Sequence, residues 1–535
     1  MAPQEVSKGE EKDRQKMYKN AGKHEDLRRR RTECSVEIRK QKREDATMKR
    51  RNLVIDENDT GDESGVEGPQ GPTMSLDEIL KCLTSDPSIV DLRRSFEALR
   101  RHVSRDKNPP VEEVTRLNLV EAMISGLIVE DTKVQFEAAW ALTNVVSGTT
   151  QQTLHAVEKG CLQPLIKLCY SEDVKITEQV AWALANITGD TAELRDHVIR
   201  EGGLDALGHL TRKVKVLRVD FVRTLAWWYS NMCRHKNPQA PVKVLETLAH
   251  GLGILMNEED HAVRQDAAWA FSYMTDGPDD QIILPFKVGA LDSIVRGLES
   301  QREALVAPII RILGNFATGA DHLTQILIDK GYIEKYIPAI LGSGRSVLMK
   351  ETVWLVSNVF AGTRLQIEYM LNLNLLSQVL HVFAQVNCYN VTVDRKANNF
   401  RVIQNASLKL AGAFQIWFKV DREQIVCIVK DNGLHEIADG MRGTLHVETT
   451  VNILESLMGI LNVAEISFHD KYTTILDEFE ASGCLDIVEG LQQHESEHVY
   501  KKALDIIEKH WHESDEVVES EEHMNGEVAK GGFQF

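Results

Sequence analysis

Long apolar runs are missing from this 535-residue chain. No stretch approaches the ~18 to 20 apolar residues that a membrane-spanning helix requires, so no transmembrane segment is expected. The first residues, MAPQEVSKGEEKDRQ, lack the apolar core of a secretion signal. Cysteines are few and scattered: Cys34, Cys82, Cys161, Cys169, Cys233, Cys388, Cys427 and Cys484 form no CxxC pair, and no histidines cluster at metal-ligand spacing. That argues against a zinc site, any other metal or a disulfide framework, and fits a soluble protein of a reducing intracellular compartment. A Gly-rich phosphate loop and a nucleophile elbow are also missing, and isolated His or Ser residues on helices fit surface or core positions. Neither an enzyme nor a cofactor is expected.

What the chain does have is charge, unevenly placed. Residues 1–55 hold 17 of the 62 basic and 10 of the 80 acidic residues, so this arm carries +7 and the remainder −25. An acidic body attracts a basic arm and basic peptides and repels nucleic acid phosphates, so direct nucleic acid binding is not expected. The length exceeds one ordinary compact core and points to several domains or a stacked array.

An array is visible. Trp140-ALT-Asn144, Trp182-ALA-Asn186, Trp227-WYS-Asn231, Trp269-AFS-Tyr273, Arg311-ILG-Asn315 and Trp354-LVS-Asn358 recur about every 42 to 45 residues. That period belongs to helical repeats that bury their apolar faces only against a neighbour. Gly160, Gly203, Gly289 and Gly331 keep the same step, and Gly433 and Gly483 extend it. Each suits the residue just past a helix C-terminus, between a short first helix and an apolar second one. A polar turn such as SEDVK at 171–175 then leads into a longer third helix that carries the Trp and Asn. The expected fold is all-α: an armadillo-repeat right-handed superhelical solenoid of about ten three-helix repeats, with a basic N-terminal arm. The expected organisation is an arm at 1–55, an acidic Gly/Pro linker at 56–74, repeats at 75–511 and an acidic disordered tail at 512–535.

Residues i and i+4 share a helix face, so each third helix sets an indole beside a carboxamide. A Trp at such a position is ordinarily core. Asparagine, however, is costly to bury without partners, so a ladder of Trp with Asn favours an exposed recognition face. The carboxamides match the main-chain groups of an extended peptide, and the indoles make slots for Lys and Arg stems worth ~0.5 to 2 kcal/mol per cation contact. Asp190, Asp266 and Asp276 add acidic groups nearby.

The arm reads LRRRRTECSVEIRKQKREDATMKRRNLV from Leu27. Interspersed acids let its centre form a basic helix, and Lys49-Arg50-Arg51-Asn52 is itself a short basic peptide suited to the ladder. The linker has a coil reach of ~23 Å and a contour of ~60 Å. With an effective concentration of ~1 mM and an intrinsic affinity of ~10 μM, the groove is ~99% self-occupied and binds other peptides ~100-fold more weakly.

With RRRRTECSVEIRKQKRE, FEAAWALTNVVSGTT, EQVAWALANITGD, SNMCRHKNP and SYMTDGP in view, nearly the full chain resembles importin-α, the adaptor family of nuclear import. The resemblance implies an importin-β-binding arm using Arg28, Arg29, Arg30, Arg31, Arg39, Lys40, Lys42 and Arg43, and an autoinhibitory Lys49, Arg50 and Arg51. It implies a major site for basic nuclear localisation signals at Trp140, Asn144, Trp182, Asn186, Trp227 and Asn231. Gly148, Thr153 and Asp190 would form the pocket for the key lysine, with Gln179 and Asp266 in support. A minor site would use Arg311, Asn315, Thr318, Thr324, Glu351, Trp354, Ser357 and Asn358. Cargo proteins, importin-β and an export receptor at the C-terminal repeats are the implied partners, with nucleoporins as a further class, and the implied location is a shuttle between cytoplasm and nucleus.

One segment departs from the family. NASLKLAGAFQIW places Leu408 and Gly412 where a Trp and an Asn belong, and Asn405 where an acid belongs. Trp417 is not expected to serve as a shifted replacement, because five residues beyond Gly412 it would fall on a different helix face, and AQVNCYNVTVDRKANNF at 384–400 is longer and more polar than the family's connection. A working major site, a weak minor site and a reduced advantage for bipartite signals are expected. Two other readings stay open: a catenin-type scaffold, whose groove would be basic, and a divergent family member turned to targeting at the nuclear envelope, spindle regulation or cytoplasmic sequestration.

Overall fold

A computed structural model describes residues 49–52, 74–105, 108–388, 432–442 and 447–511. The basic stretch from Arg28 to Arg43, the acidic linker, the segment containing Asn405, Leu408, Gly412 and Trp417, and the C-terminal tail lie outside the described residues. All described secondary structure is helical, and it falls into two compact units, one ending at Val382 and the other beginning at Phe383.

The first unit is a stack of armadillo repeats whose third helices we label α1 (Ile89–Val103), α2 (Thr132–Val146), α3 (Val174–Asp190), α4 (Val219–Arg234), α5 (His261–Met274), α6 (Glu303–Thr318) and α7 (Ser346–Val359). Each packs against the next. Because a stacked helix is covered on both sides, its residues there are small: Ala181, Ala183 and Ala185 of α3 are all buried. Large side chains fill the remaining gaps, as does Trp228, which is fully buried with its indole N–H donating to Thr188 Oγ1 at 3.1 Å.

Acidic caps start several of these helices. Asp131 accepts from the Val134 amide at 3.0 Å, and Asp260 from the Ala262 and Val263 amides, also at 3.0 Å. The same carboxylates bind an arginine of the preceding repeat: Arg93 to Asp131 at 2.6 Å and Arg223 to Asp260 at 2.7 Å. One side chain thus satisfies orphan helix amides and ties two repeats together. Arg223 and the amides hold the Asp260 carboxyl down at about 2.

The helix Val242–Leu255 follows Pro241 at φ −56°, whereas the break before the second helix of most repeats takes a left-handed residue, though not always the expected glycine. Gly160 (φ 88°), Gly289 (71°), Gly331 (67°) and Gly483 (80°) adopt it. The expectations for Gly203 and Gly433 are corrected by one residue. Gly202 (98°) and Asn432 (63°) make those turns, while Gly203 and Gly433 begin the helices that follow. Asn118 and Asn374, each at 54°, mark two further breaks that no glycine announces, since asparagine is the residue that most readily replaces glycine there.

The second unit contains helices Gly433–Met441, Val447–Ser467, Tyr472–Ala481, Cys484–Leu491 and Glu497–His510. Its core gathers Leu454, Leu457, Leu461, Phe479, Val488, Val499, Ala503 and Ile506, all buried.

Candidate functional site

The ends of α1 to α5 line one side of the stack, and Lys49–Asn52 lies along it. Its backbone runs against the order of the repeats, from the end of α3 at Lys49 back to α1 at Arg51. Alternate residues are held by successive Trp/Asn pairs, as the two-residue period of an extended chain requires. At Arg50, the amide donates to Asn186 Oδ1 (2.8 Å), and the carbonyl accepts from Asn186 Nδ2 (3.0 Å) and Trp182 Nε1 (2.8 Å). At Asn52 the pattern repeats: the amide donates to Asn144 Oδ1 (2.8 Å), and the carbonyl accepts from Asn144 Nδ2 (3.0 Å) and Trp140 Nε1 (2.9 Å). These bonds read main chain, not side chain.

Side chains are read in between. The Lys49 ammonium donates to Asp190 Oδ2 (2.7 Å), Thr153 Oγ1 (2.8 Å) and the Gly148 carbonyl (3.0 Å). Burial lowers its pKa from the usual lysine value, and the hydrogen bond and charge of Asp190 oppose that. Three acceptors spread around one nitrogen suit an ammonium with its three rotatable donors. A Cβ at Gly148 would lie 2.0 Å from Gln152 Oε1, so a larger residue there would displace the atom that accepts from the Thr149 amide and closes the capping box of helix Thr150–Glu158.

Arg50 lays its guanidinium 4.5 Å from the centroid of Trp227 and 3.8 Å from Asp266. Burial lowers its pKa, opposed by Asp266. Arg51 points the other way and donates to the carbonyls of Val103 (2.9 Å) and Arg105 (2.6 Å) at the end of α1, where the helix dipole favours a cation. A cavity of about 570 Å³ opens beside it between Pro109–Glu113 and Ser147–Gln152. The Asn52 carboxamide donates to Gln179 Oε1 at 3.0 Å, and Gln179 Nε2 is itself held by Thr143 Oγ1 at 2.8 Å.

One expectation is corrected here. With Lys49–Asn52 lying over them, Asn144 is 2% exposed and Asn186 and Asn231 are 0%, so the carboxamides are also set into the stack, which the expectation of an open face did not include. Each also bonds the preceding repeat. Asn144 Nδ2 donates to Ser104 Oγ (2.9 Å), Asn186 Nδ2 to the Thr143 carbonyl (3.3 Å) and Asn231 Nδ2 to the Ala185 carbonyl (2.8 Å). Burial and peptide recognition are therefore not alternatives, because one carboxamide does both. Arg234 donates to Asn231 Oδ1 at 2.6 Å. Asp276, expected to serve basic ligands, is bound by Lys236 of the loop that follows α4.

Two residues beside the ladder, Arg100 and Thr150, gave no signal in the sequence. Arg100 pairs with Glu137 at 2.7 Å and lays its guanidinium 4.6 Å from the Trp140 centroid, covering the indole at one end of the ladder. Thr150 Oγ1 donates to Asp190 Oδ1 at 2.9 Å.

Further along the stack, Arg311 pairs with Glu351 at 2.6 Å in a buried ion pair and lies 5.6 Å over Trp269. Asn315 Nδ2 donates to the Ser272 carbonyl (3.2 Å) and Thr275 Oγ1 (2.9 Å), while Thr318 and Ser357 bond carbonyls of their own helices at 2.8 Å. Thr324 Oγ1 and Asn358 Nδ2 are buried atoms without a partner among the described residues. Trp354 packs on Gly314, where a Cβ would lie 2.1 Å from the indole.

Residues 14–98 match the family described as importin beta binding domain, residues 149–189 the armadillo/beta-catenin-like repeat, and residues 473–525 an atypical armadillo repeat. The chain is 47% identical to importin subunit alpha-2 of Caenorhabditis elegans over 351 residues, 64% of this chain and 66% of that one. It is 32% identical to importin subunit alpha-4 of Arabidopsis thaliana over 528 residues, 94% of this chain and 92% of that one. Among solved structures, an engineered protein superposes with a TM-score of 0.63 at 21% identity over 82% of this chain and 98% of its own, a likeness of fold.

Proposed function

Because the chain belongs to the importin-α family, we propose that its Trp/Asn groove binds the basic nuclear localisation signals of cargo and that Lys49–Asn52 is an internal competitor for that groove. The family and the importin-β-binding match at residues 14–98 make the protein a nuclear import adaptor that binds importin-β. The finer reading rests on one observation: Lys49, Arg50 and Asn52 engage ten of the residues expected to read a basic signal, namely Trp140, Asn144, Gly148, Thr153, Gln179, Trp182, Asn186, Asp190, Trp227 and Asp266. A cargo lysine would replace Lys49 in the pocket of Gly148, Thr153 and Asp190, its neighbours taking the Trp182 and Trp227 slots. Importin-β, by drawing Arg28–Arg31 and Arg39–Arg43 onto its own surface, withdraws the competitor and couples cargo loading to carrier loading.

Arg311, Asn315, Thr318, Thr324, Glu351, Trp354, Ser357 and Asn358 form a second, weaker site in this reading. The unpartnered Thr324 Oγ1 and Asn358 Nδ2 support it, since buried polar atoms left unsatisfied are costly. The protein shuttles between cytoplasm and nucleus, with an export receptor at the C-terminal repeats and nucleoporins as transient contacts, and acts without catalysis. The test is binding of a labelled lysine-containing basic peptide to protein lacking residues 1–72, with and without Trp182→Ala and Asn186→Ala, alongside binding of residues 1–55 to importin-β. Loss of peptide binding in the double variant is expected. Equal binding by both proteins refutes the groove, and failure of the arm to bind importin-β refutes the coupling.

A further inference from the structure

We propose that Thr150 is a positioning residue that holds Asp190 ready for the incoming lysine and so helps to set the groove's preference for lysine. The inference rests on the groove reading above and adds to it a residue that touches no ligand. Asp190 is the last residue of α3, where the helix dipole disfavours a negative charge, and its side chain is only 6% exposed. Among the described residues its carboxylate receives two hydrogen bonds, one to each oxygen: Lys49 Nζ on Oδ2 and the Thr150 hydroxyl on Oδ1. When the Lys49–Asn52 segment leaves, the first is gone and the second stays.

Thr150 is suited to staying. It is the first residue of helix Thr150–Glu158, fixed by the reciprocal Thr149 and Gln152 cap. The N-terminus of that helix also brings the positive end of a dipole towards the carboxylate. With Oδ1 occupied by a neutral donor, Oδ2 points into the space bounded by the Gly148 carbonyl and Thr153 Oγ1, the two other acceptors of the ammonium. The carboxylate is then oriented before the ligand arrives, and its ordering does not have to be met from the binding energy. The hydroxyl donates to the carboxylate without bringing a cation that would compete with lysine.

The experiment uses the full chain carrying Lys49→Ala, Arg50→Ala and Arg51→Ala, which empties the groove of its own segment. Affinities are measured for a basic peptide with lysine in the Asp190 pocket and for the same peptide with alanine there. Thr150→Val, an isosteric change, is expected to weaken the lysine peptide about tenfold, the usual effect of one hydrogen bond to a charged group, and to leave the alanine peptide unchanged. Thr150→Ser restores the lysine affinity. In an Asp190→Asn background, Thr150→Val has no further effect on the lysine peptide. Lysine-dependent binding that Thr150→Val leaves intact overturns the inference, as does an equal loss for both peptides, which is the mark of a purely structural role. Failure of the opened chain to distinguish the lysine peptide from the alanine peptide sinks both this inference and the groove reading. The melting temperature of each variant identifies one that has failed to fold, in which case the Thr150→Ser and Asp190→Asn comparisons decide.

Discussion

Replacing Asn186 by alanine separates main-chain reading from side-chain reading in the groove. The substitution removes two bonds to Arg50, from its amide and to its carbonyl, and leaves the Trp182 indole as the remaining donor to that carbonyl. At about 1 kcal/mol per bond, with a further cost for the stranded amide, binding should weaken by about 2 to 3 kcal/mol, or roughly 30- to 150-fold. The change also deletes the 3.3 Å bond to the Thr143 carbonyl, so stability should fall by about 1 kcal/mol. Fluorescence anisotropy on protein lacking residues 1–72, with melting curves in parallel, measures both. Because the lost atoms face main chain, the factor should be the same for a peptide with lysine at the Asp190 pocket and for one with alanine. N-methylation at the residue standing in for Arg50 should cost less affinity in the variant than in the parent, because the acceptor of that amide is already gone. A loss below threefold, or one that varies with the peptide's side chains, would refute the reasoning.

Lys49→Ala in the full chain removes three hydrogen bonds, one of them to a carboxylate. At about 3 kcal/mol, self-occupancy drops from ~99% to below half, and a competing basic peptide should bind roughly 60-fold more tightly by the same anisotropy assay. Asp260, held at about 2, contributes stability that is fully present above its unfolded pKa of ~4. That contribution is lost as pH falls towards 2. Asp260→Asn should therefore flatten the acid limb of melting temperature against pH, by about 1 kcal/mol given the site's solvent screening. Gly314→Ala forces a Cβ to within 2.1 Å of the Trp354 ring. It should cost about 1 to 3 kcal/mol in chemical denaturation and abolish any binding that uses the Trp354 slot.

Much of the fold was legible because a stacked repeat writes its period into the sequence. The Trp…Asn spacing and the recurrent break both survive as patterns of single residues. What stayed hidden was set between repeats. The bond from Asn186 to the Thr143 carbonyl, or from Asn231 to the Ala185 carbonyl, depends on how one helix stacks on the next. No spacing within either helix records it. Lys236 reaching Asp276 is of the same kind, as are Arg93 and Arg223 meeting Asp131 and Asp260. The breaks at Asn118, Asn374 and Asn432 were missed because asparagine, unlike glycine, is frequent in many other settings, and only its positive φ identifies it.

The claim at the centre is that Lys49–Asn52 occupies the groove that cargo needs. The direct measurement is equilibrium binding of one fluorescent basic peptide to the full chain, to the chain lacking residues 1–72, and to the full chain saturated with importin-β. The account predicts binding about 100-fold tighter on truncation, with importin-β raising the full chain to the same affinity. Equal affinity in all three would contradict it.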